Sequence, residues 1–170
     1  MAYQLRFESN ALDADSKIGQ MLDALVQTTK QARRTAGMQL REDEVNRLVT
    51  LRGVCQRTFE LSMDWADKDF DQQMISEKWR WTDKQTRRKN GEIVGSPRDI
   101  VDTGALLQSK KRDPINSSIT EFIWEDDAAE LVHDGGKTKT GGAYPARPWT
   151  EPTLKEIDGV IDTIIKRGGR

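Results

Sequence analysis

The stretch that decides the fold class is residues 117–124, SSITEFIW, in the second half of the chain. From position 119 onward its odd positions hold Ile, Glu and Ile, while its even positions hold Thr, Phe and Trp. Successive side chains of a strand point to opposite faces, so both faces of this stretch carry bulky residues. We therefore predict a β-strand that is at least partly buried on both sides.

Helical patterns flank this strand in the sequence. Apolar residues recur every three to four positions over residues 42–74, with Gly53 inside the pattern, and a similar pattern covers residues 16–36. A third helix is expected to begin near Glu151-Pro152, because proline suits the first turn of a helix. Its apolar face, which we expect to pack on the chain's own sheet, consists of Leu154, Ile157, Val160, Ile161, Ile164 and Ile165.

Shorter elements are predicted at three other places. Residues 3–8 alternate apolar and polar side chains and predict a short strand. The dipeptide Asn90-Gly91 predicts a turn that leads into a short strand at Ile93 and Val94, which together indicate a hairpin. Residues 103–109 predict a short helix or turn with Thr103 as its cap.

Strands that cluster apart from helices are typical of an α+β fold. We predict a small antiparallel β-sheet packed against an N-terminal helical pair and a C-terminal helix, with a protruding hairpin or loop. A chain of 170 residues fits a single domain. Within residues 1–170 we distinguish a mainly helical part (1–76), a basic insert that contains tryptophan (77–96) and a third part (97–167).

Composition excludes several classes of protein and site. The net charge of -1 argues against a globally basic nucleic-acid binder, although a local basic patch stays compatible with it. Cys55 is the single cysteine, which excludes an intramolecular disulfide or a cysteine-based zinc site and favours a reducing compartment. Residues 1–10 have no apolar run, so we expect no signal peptide, and no stretch has the length of a membrane-spanning helix.

One short motif could indicate an enzyme. Asp102-Thr103-Gly104, within residues 100–105, is similar to the active-site turn of retroviral-type aspartic proteases, in which Asp carboxylates from two subunits share a proton. That turn lies between apolar strands, whereas the polar residues 96–99 precede it here. We expect no enzymatic activity, and keep the protease as an alternative hypothesis.

No other pattern predicts catalysis, a metal or a cofactor. His133 is the single histidine, and the sequence marks no Ser or Cys as its partner. The carboxylates near it, at positions 126, 127, 130 and 134, are more typical of a solvated turn than of a metal site. Glycine pairs at 135–136 and 141–142 lack the strand–helix context of a phosphate-binding loop.

The segment Trp79–Lys89 mixes aromatic and cationic residues, as segments that bind nucleic acid do. The favoured interpretation is a hairpin whose Trp rings pack inward while its cations face water. The alternative is a nucleic-acid-binding module. In a channel-forming protein, the cations that we would expect to face DNA are Arg80, Lys84, Arg87, Arg88 and Lys89.

Two stretches resemble a family of bacteriophage proteins. The first is residues 101–109, VDTGALLQS; the second runs from residues 128–135, AAELVHDG, through a loop to residues 146–154, ARPWTEPTL. In this order they resemble the tail-component family of long-tailed phages, related to tail-completion and neck proteins of lambda-like phages. That family carries Asp-Thr-Gly-x-Leu-x-x-Ser, an alanine-containing strand that ends near a glycine, a variable loop, and Arg-Pro-Phe-x-x-Pro-Ala-Leu at the start of a C-terminal helix. Here Trp149 stands in place of the Phe and Thr153 in place of the Ala, and the similarity spans residues 97–165.

The resemblance implies a structural virion protein, in the neck or tail, made in the host cytoplasm before assembly. Such a protein is a tail-completion or tail-terminator subunit that joins head and tail as a homo-oligomeric ring, a hexamer or dodecamer. Its partners would be adjacent neck or tail-tube proteins and DNA passing through the channel, with no cofactor, metal or membrane. The residues that the resemblance assigns to the assembly motif are Asp102, Thr103, Gly104, Leu106, Ser109, Gly135, Arg147, Pro148, Trp149 and Pro152.

Overall fold

The structure is a computed structural model that describes residues 2–8, 31, 42–81, 83–137 and 141–167. In chain order the elements are β1 (Tyr3–Glu8), α1 (Glu42–Ile75), β2 (Gln85–Arg87), β3 (Ile93–Gly95), α2 (Ala105–Gln108), β4 (Lys110–Asn116), β5 (Ile119–Trp124), α3 (Ala129–Asp134), β6 (Gly136–Lys137), β7 (Ala143–Tyr144) and α4 (Thr150–Lys166). The fold class is α+β, as predicted. Of the helix predicted over residues 16–36, only Gln31 is described, in helical conformation, and the rest lies outside the described residues.

The predicted strand β5 is the middle strand of a three-stranded sheet with the order β1–β5–β4. Its even positions, Thr120, Phe122 and Trp124, are all buried, and Glu121 on its other face is buried as well. The prediction of a strand covered on both sides is therefore confirmed. The predicted N-terminal strand is also present as β1, with alternating burial.

Helix α1 covers the predicted region almost residue for residue. Ala66, Phe70 and Met74, each one turn after the last, are fully buried, so this stripe is the core-facing side of the helix. The Phe70 ring packs edge-on against the rings of Phe122 and Trp124, with centroid distances of 5.2 and 5.4 Å. Gly53 is accommodated inside the helix, where an added Cβ would meet nothing within 4 Å.

The chain forms two compact units that cut across these elements. Unit 1 comprises Met1–Arg6, Asp64–Asp113 and Glu121–Gly159, and unit 2 comprises Phe7–Met63, Pro114–Thr120 and Val160–Arg170. Within the described residues, every buried apolar side chain except Met63 belongs to unit 1. The division into parts 1–76, 77–96 and 97–167 stays a prediction.

Two local expectations are wrong. The resemblance implies a strand over residues 129–134, but these residues form the helix α3. Ala, Glu and Leu favour a helical turn, and Asp126 Oδ1 accepts the Ala128 amide just before the helix begins. Thr103 is not the cap of α2. The capping residue is Gly104 in the left-handed conformation (φ 82°), and the Thr103 hydroxyl instead accepts the Ala105 amide at 3.3 Å.

The apolar face of α4 is covered mainly around its middle. Ile157 is buried, and so are Thr150 and Thr153; the Thr153 hydroxyl donates to Asp69 Oδ2 at 2.7 Å. Leu154 and Ile165, at the two ends of the predicted apolar stripe, are 39% and 54% exposed. The expectation that the chain's own core covers the whole stripe therefore holds for Ile157 and not for its two ends.

Candidate functional site

The segment Arg147-Pro148-Trp149 joins α3 to α4 and organises the candidate site. The Arg147 amide donates to the carbonyl oxygens of Val132 and His133, both at 3.0 Å, which fastens the segment to α3. Pro148 lacks an amide hydrogen and keeps the preceding residue out of helical conformation. Its carbonyl then accepts the Glu151 amide at 3.2 Å, in the first turn of α4.

On one side of this segment lies the His133 cluster, which we define as Tyr3, His133, Asp134, Trp149 and Thr150. The Trp149 ring is fully buried and packs edge-on against His133, with 4.8 Å between ring centroids. The Tyr3 ring stacks on the imidazole at 4.1 Å between centroids and also contacts Trp149 at 5.8 Å. Strand β1, which begins at Tyr3, is thus tied to the start of α4.

Polar contacts in the His133 cluster run in series from carboxylate to imidazole to hydroxyl. His133 Nδ1 lies 2.5 Å from Asp134 Oδ1, and Nε2 lies 2.7 Å from Thr150 Oγ1. With Asp134 ionised, Nδ1 donates to it, and in the neutral imidazole Nε2 accepts from the Thr150 hydroxyl. The Tyr3 hydroxyl lies 3.5 Å from the same Thr150 oxygen.

This series has the order of groups found in nucleophilic catalysis. Nothing in the sequence singled out Thr150 as a partner of His133, because the two are separated along the chain and Thr150 also fits the start of a helix. Thr150 is 1% exposed, so no substrate carbonyl can approach its Oγ1 in this arrangement. The contacts of Thr150 therefore serve to hold β1, α3 and α4 together.

Burial also affects the titration of Tyr3. The pKa of its hydroxyl is raised above 10, chiefly by burial, against a smaller opposing effect of the contact with Thr150. The negative charges of Asp134 and Glu151 raise the pKa further. The phenol therefore stays protonated to higher pH in the folded chain than in the unfolded chain.

On the other side of the segment lies the Trp81 cluster, which we define as Trp81, Arg98, Tyr144 and Arg147. The Cζ atoms of Arg98 and Arg147 lie 3.7 and 3.6 Å from the centre of the Trp81 ring. Two guanidinium groups that close to one ring centre would collide on a single face, so they stack on opposite faces. The Tyr144 ring completes the cluster, 4.5 Å from Arg147 Cζ and edge-on to Trp81 at 5.9 Å.

Local backbone pairing holds Trp81 and Arg98 in register. Trp79 and Arg98 exchange backbone hydrogen bonds of 3.1 and 2.9 Å, and the Trp81 amide donates to Ser96 Oγ at 2.8 Å. Trp79 is turned away, since its Nε1 donates to the Gln73 carbonyl at the end of α1 at 2.8 Å. The stack is therefore built from a short antiparallel bridge and one arginine from the distant 147–149 segment.

Both arginines of the stack are buried, and most of their guanidinium nitrogens have no hydrogen-bond acceptor. Arg98 is 6% exposed and Arg147 is 1% exposed. The buried atoms without a hydrogen-bond partner among the described residues are Nε and Nη1 of Arg98, all three guanidinium nitrogens of Arg147, and Nε1 of Trp81. Burial lowers the pKa of both guanidinium groups; the charge of Arg88 lowers the pKa of Arg98 further, while Asp99 and Asp102 raise it, and Tyr144 raises the pKa of Arg147.

The residues of the first motif have conformational and hydrogen-bonding roles. Asp102 Oδ1 accepts the Lys89 amide at 3.0 Å, in a bend that is not part of any strand. Ser109 Oγ donates to the Leu106 carbonyl at 2.8 Å, while the Ser109 carbonyl accepts the Glu125 amide at 3.3 Å after β5. Leu106 is half-buried in α2, and Pro152 lies half-buried in the first turn of α4.

Gly135 ends α3 with a φ of 74°. A Cβ at this position would lie 2.6 Å from the Ala146 nitrogen and 2.8 Å from the Tyr144 carbonyl oxygen. Both the conformation and the close approach of the chain therefore require glycine.

The basic segment is a hairpin, as predicted, with β2 and β3 antiparallel. Arg80, Lys84, Arg87 and Lys89 are exposed. Arg88 differs, because it is largely buried and donates to both carboxylate oxygens of Asp99, at 3.0 and 2.8 Å, and to the Val101 carbonyl. The Asp99 contact raises the pKa of Arg88.

Neither a family model, nor a curated protein, nor a solved structure gave a match. None of the described helices is long and apolar enough to cross a membrane. Across the described ranges, no group of three or more His, Cys, Asp or Glu side chains is placed to hold a metal ion.

Proposed function

We propose that this chain is a structural assembly protein of a tailed bacteriophage, a ring-forming subunit at the neck or tail end that connects head and tail. The observation that carries the proposal is the ordered pair of motifs, residues 101–109 and 128–154, which together resemble the tail-component family. The subunit would act as a tail-completion or tail-terminator protein in a hexameric or dodecameric ring.

The roles of the motif residues support this proposal. Both motifs lie almost entirely within unit 1, where Arg147-Pro148-Trp149 joins two helices and Gly135 permits a close approach of the chain. Asp102 is engaged with a backbone amide in a bend, whereas the protease hypothesis needs it between two apolar strands. Conformational and hydrogen-bonding roles of this kind are what a structural subunit requires of its motif residues.

The exposed cations of the basic hairpin support a place next to DNA. Four of these cations are exposed and can contact phosphates directly: Arg80, Lys84, Arg87 and Lys89. In a ring of subunits, their positive charge would line the central channel. Arg88, which pairs with Asp99, would instead keep the hairpin in place. Adjacent neck or tail-tube proteins would be the remaining partners, and the assembled virion the final location.

The direct test is the mass and shape of the purified full chain. Light scattering should give the mass of a closed hexamer or dodecamer, and negative-stain images should show a ring with a central channel. An antibody against the chain should label the neck or tail end of virions from the phage that encodes it. A chain that stays monomeric and is absent from virions would contradict the proposal.

A second measurement addresses the protease alternative. The wild type and Asp102→Asn should both leave a panel of peptides uncleaved. Cleavage by the wild type that disappears in a folded Asp102→Asn variant would establish the protease instead.

A further inference from the structure

The Trp81 cluster holds two buried positive charges with few compensating partners in the described part of the chain. Six buried nitrogen atoms of Trp81, Arg98 and Arg147 lack hydrogen-bond partners there. Buried polar atoms are nearly always hydrogen-bonded in folded proteins, and buried charges are nearly always paired. Asp99, which follows Arg98 in the chain, is already bound by Arg88 through both oxygens.

Stacking on an aromatic ring does not remove this deficit. A cation on the face of an indole is attracted to the ring, but removal of a guanidinium from water costs more than that attraction returns. An arginine cannot avoid this free-energy cost by losing its proton, because its guanidinium stays charged at any physiological pH. Burial is the main cause of the lowered pKa of Arg147, and repulsion from Arg98 on the same ring lowers it further.

We propose that Arg98 and Arg147, stacked on the two faces of Trp81, form a binding site for oxyanion groups, a carboxylate or a phosphate at each guanidinium. Each guanidinium offers a planar fork of donors that matches the oxygens of such a group. The indole Nε1, which is itself unpaired, is a further donor at the edge of the ring between them. This inference uses contacts within unit 1 and does not rest on the proposed phage role.

The approach to the site passes Tyr144. Tyr144 and Trp81 are half-buried, so the cluster reaches the surface at these two rings. Tyr144 belongs to β7, which pairs with β6 through only two residue pairs. Such a short ladder opens more readily than the core, so displacement of Tyr144 gives the oxyanion its access to Arg147.

The oxyanion group has two sources with the same chemistry: a free ion, or an acidic side chain of a second copy of the chain. The first is tested with inorganic phosphate, against sodium chloride at equal ionic strength and pH. Phosphate should raise the melting temperature of the full chain in a saturable manner and change its tryptophan fluorescence. Arg98→Met and Arg147→Met should each weaken both responses, whereas Arg167→Met, at an exposed position after α4, should keep them.

Three further variants distinguish loss of the binding site from misfolding of the chain. Arg98→Lys and Arg147→Lys keep the charge but lose the fork, so they should fold and require at least about tenfold more phosphate for the same response. Tyr144→Ala keeps both arginines and removes the ring in front of them, so it should respond at lower phosphate concentration. A phosphate response that is unchanged in the Met and Lys variants would overturn the proposal.

The second source is tested by the mass of the same variants. If the wild type does not respond to phosphate but self-associates, then Arg98→Met and Arg147→Met should shift it to monomer while Arg167→Met should not. That result assigns the site to a carboxylate of a second copy. No phosphate response together with an unchanged mass of the Met variants would overturn the proposal altogether.

Discussion

Thr150 Oγ1 illustrates how much of the His133 cluster depends on one atom. It lies within hydrogen-bonding distance of both His133 Nε2 and the Tyr3 hydroxyl, in a place without access to solvent. Replacement of this hydroxyl by a methyl group keeps the volume of the side chain and removes both contacts. The imidazole would then keep a buried nitrogen without a partner.

We expect Thr150→Val to lower the free energy of unfolding by about 1–3 kcal/mol, the usual effect of an unpaired buried polar group. Urea denaturation of the two chains measures this. Thr163→Val, at an exposed position of the same helix, is the matched control and should change stability by less than about 0.5 kcal/mol. Equal effects of the two substitutions would show that the buried contacts do not stabilise the fold.

Tyr3 gives the cluster a dependence on alkaline pH. Its folded pKa is raised above the unfolded value of 10.0, so above that pH the unfolded chain loses a proton that the folded chain keeps. The free energy of unfolding should therefore be unaffected below the unfolded pKa and should fall as pH rises past it. In urea titrations between about pH 9 and 11, the free energy of unfolding of Tyr3→Phe should fall less steeply than that of the wild type. Parallel curves for the two proteins would contradict this.

Sequence patterns could identify only part of the candidate site at this scale. Arg147 and Trp149 were marked by the resemblance, and both are central. Trp81 was expected to pack inward, but the sequence did not identify its partners, Arg98 and Arg147, which backbone pairing and the 147–149 segment bring there. Contacts of this kind, like that of Tyr3 with Thr150, join distant positions and have no local signature.

Among the elements, the length of the repeating pattern decided what could be predicted. Helix α1 repeats its apolar spacing over many turns and β5 alternates over its whole length, so both were predicted correctly. Helix α3 has 6 residues, which is under two turns and too short for periodicity to distinguish it from a strand. The sequence predicted the types and approximate bounds of long elements and could not decide the type of α3.

The end of α3 gives a prediction at this scale. Gly135→Ala places a Cβ within 3 Å of backbone atoms on the 144–146 segment, which cannot move without disturbing β7. We expect a loss of at least about 2 kcal/mol in the free energy of unfolding. Gly141 has a similar positive φ but open space around it, so Gly141→Ala should lower the free energy of unfolding by only about 1 kcal/mol. An equal loss at both positions would exclude the clash as the cause.

At the scale of the whole molecule, burial is unevenly divided between the two units. Of the described apolar side chains, those that are buried belong to unit 1 with the exception of Met63. Helix α4 reflects the same division, since Ile157 is buried in unit 1 and Ile165 in unit 2 is exposed. Local stability follows buried apolar contacts, so the two parts of this helix should differ in how easily they open.

Native-state hydrogen exchange can measure that difference. Amides of residues 122–124 should exchange only through global unfolding, whereas amides of residues 161–165 should exchange faster through fraying of α4. Ile157→Ala, which truncates a buried side chain, should accelerate exchange of the first set and leave the second nearly unchanged. Uniform protection along α4 would show instead that its end is as stable as the core.

The backbone at Gly135 also bears on the ancestry of this chain. Exposed positions can drift freely over evolutionary time, but every replacement at Gly135 adds a carbon atom where the 144–146 segment already lies. Descent should therefore keep a glycine here and, after the loop, the Arg-Pro pair that fastens the same segment to α3. A pattern of these three residues that allows any loop length between them should recognise distant relatives after overall similarity has been lost.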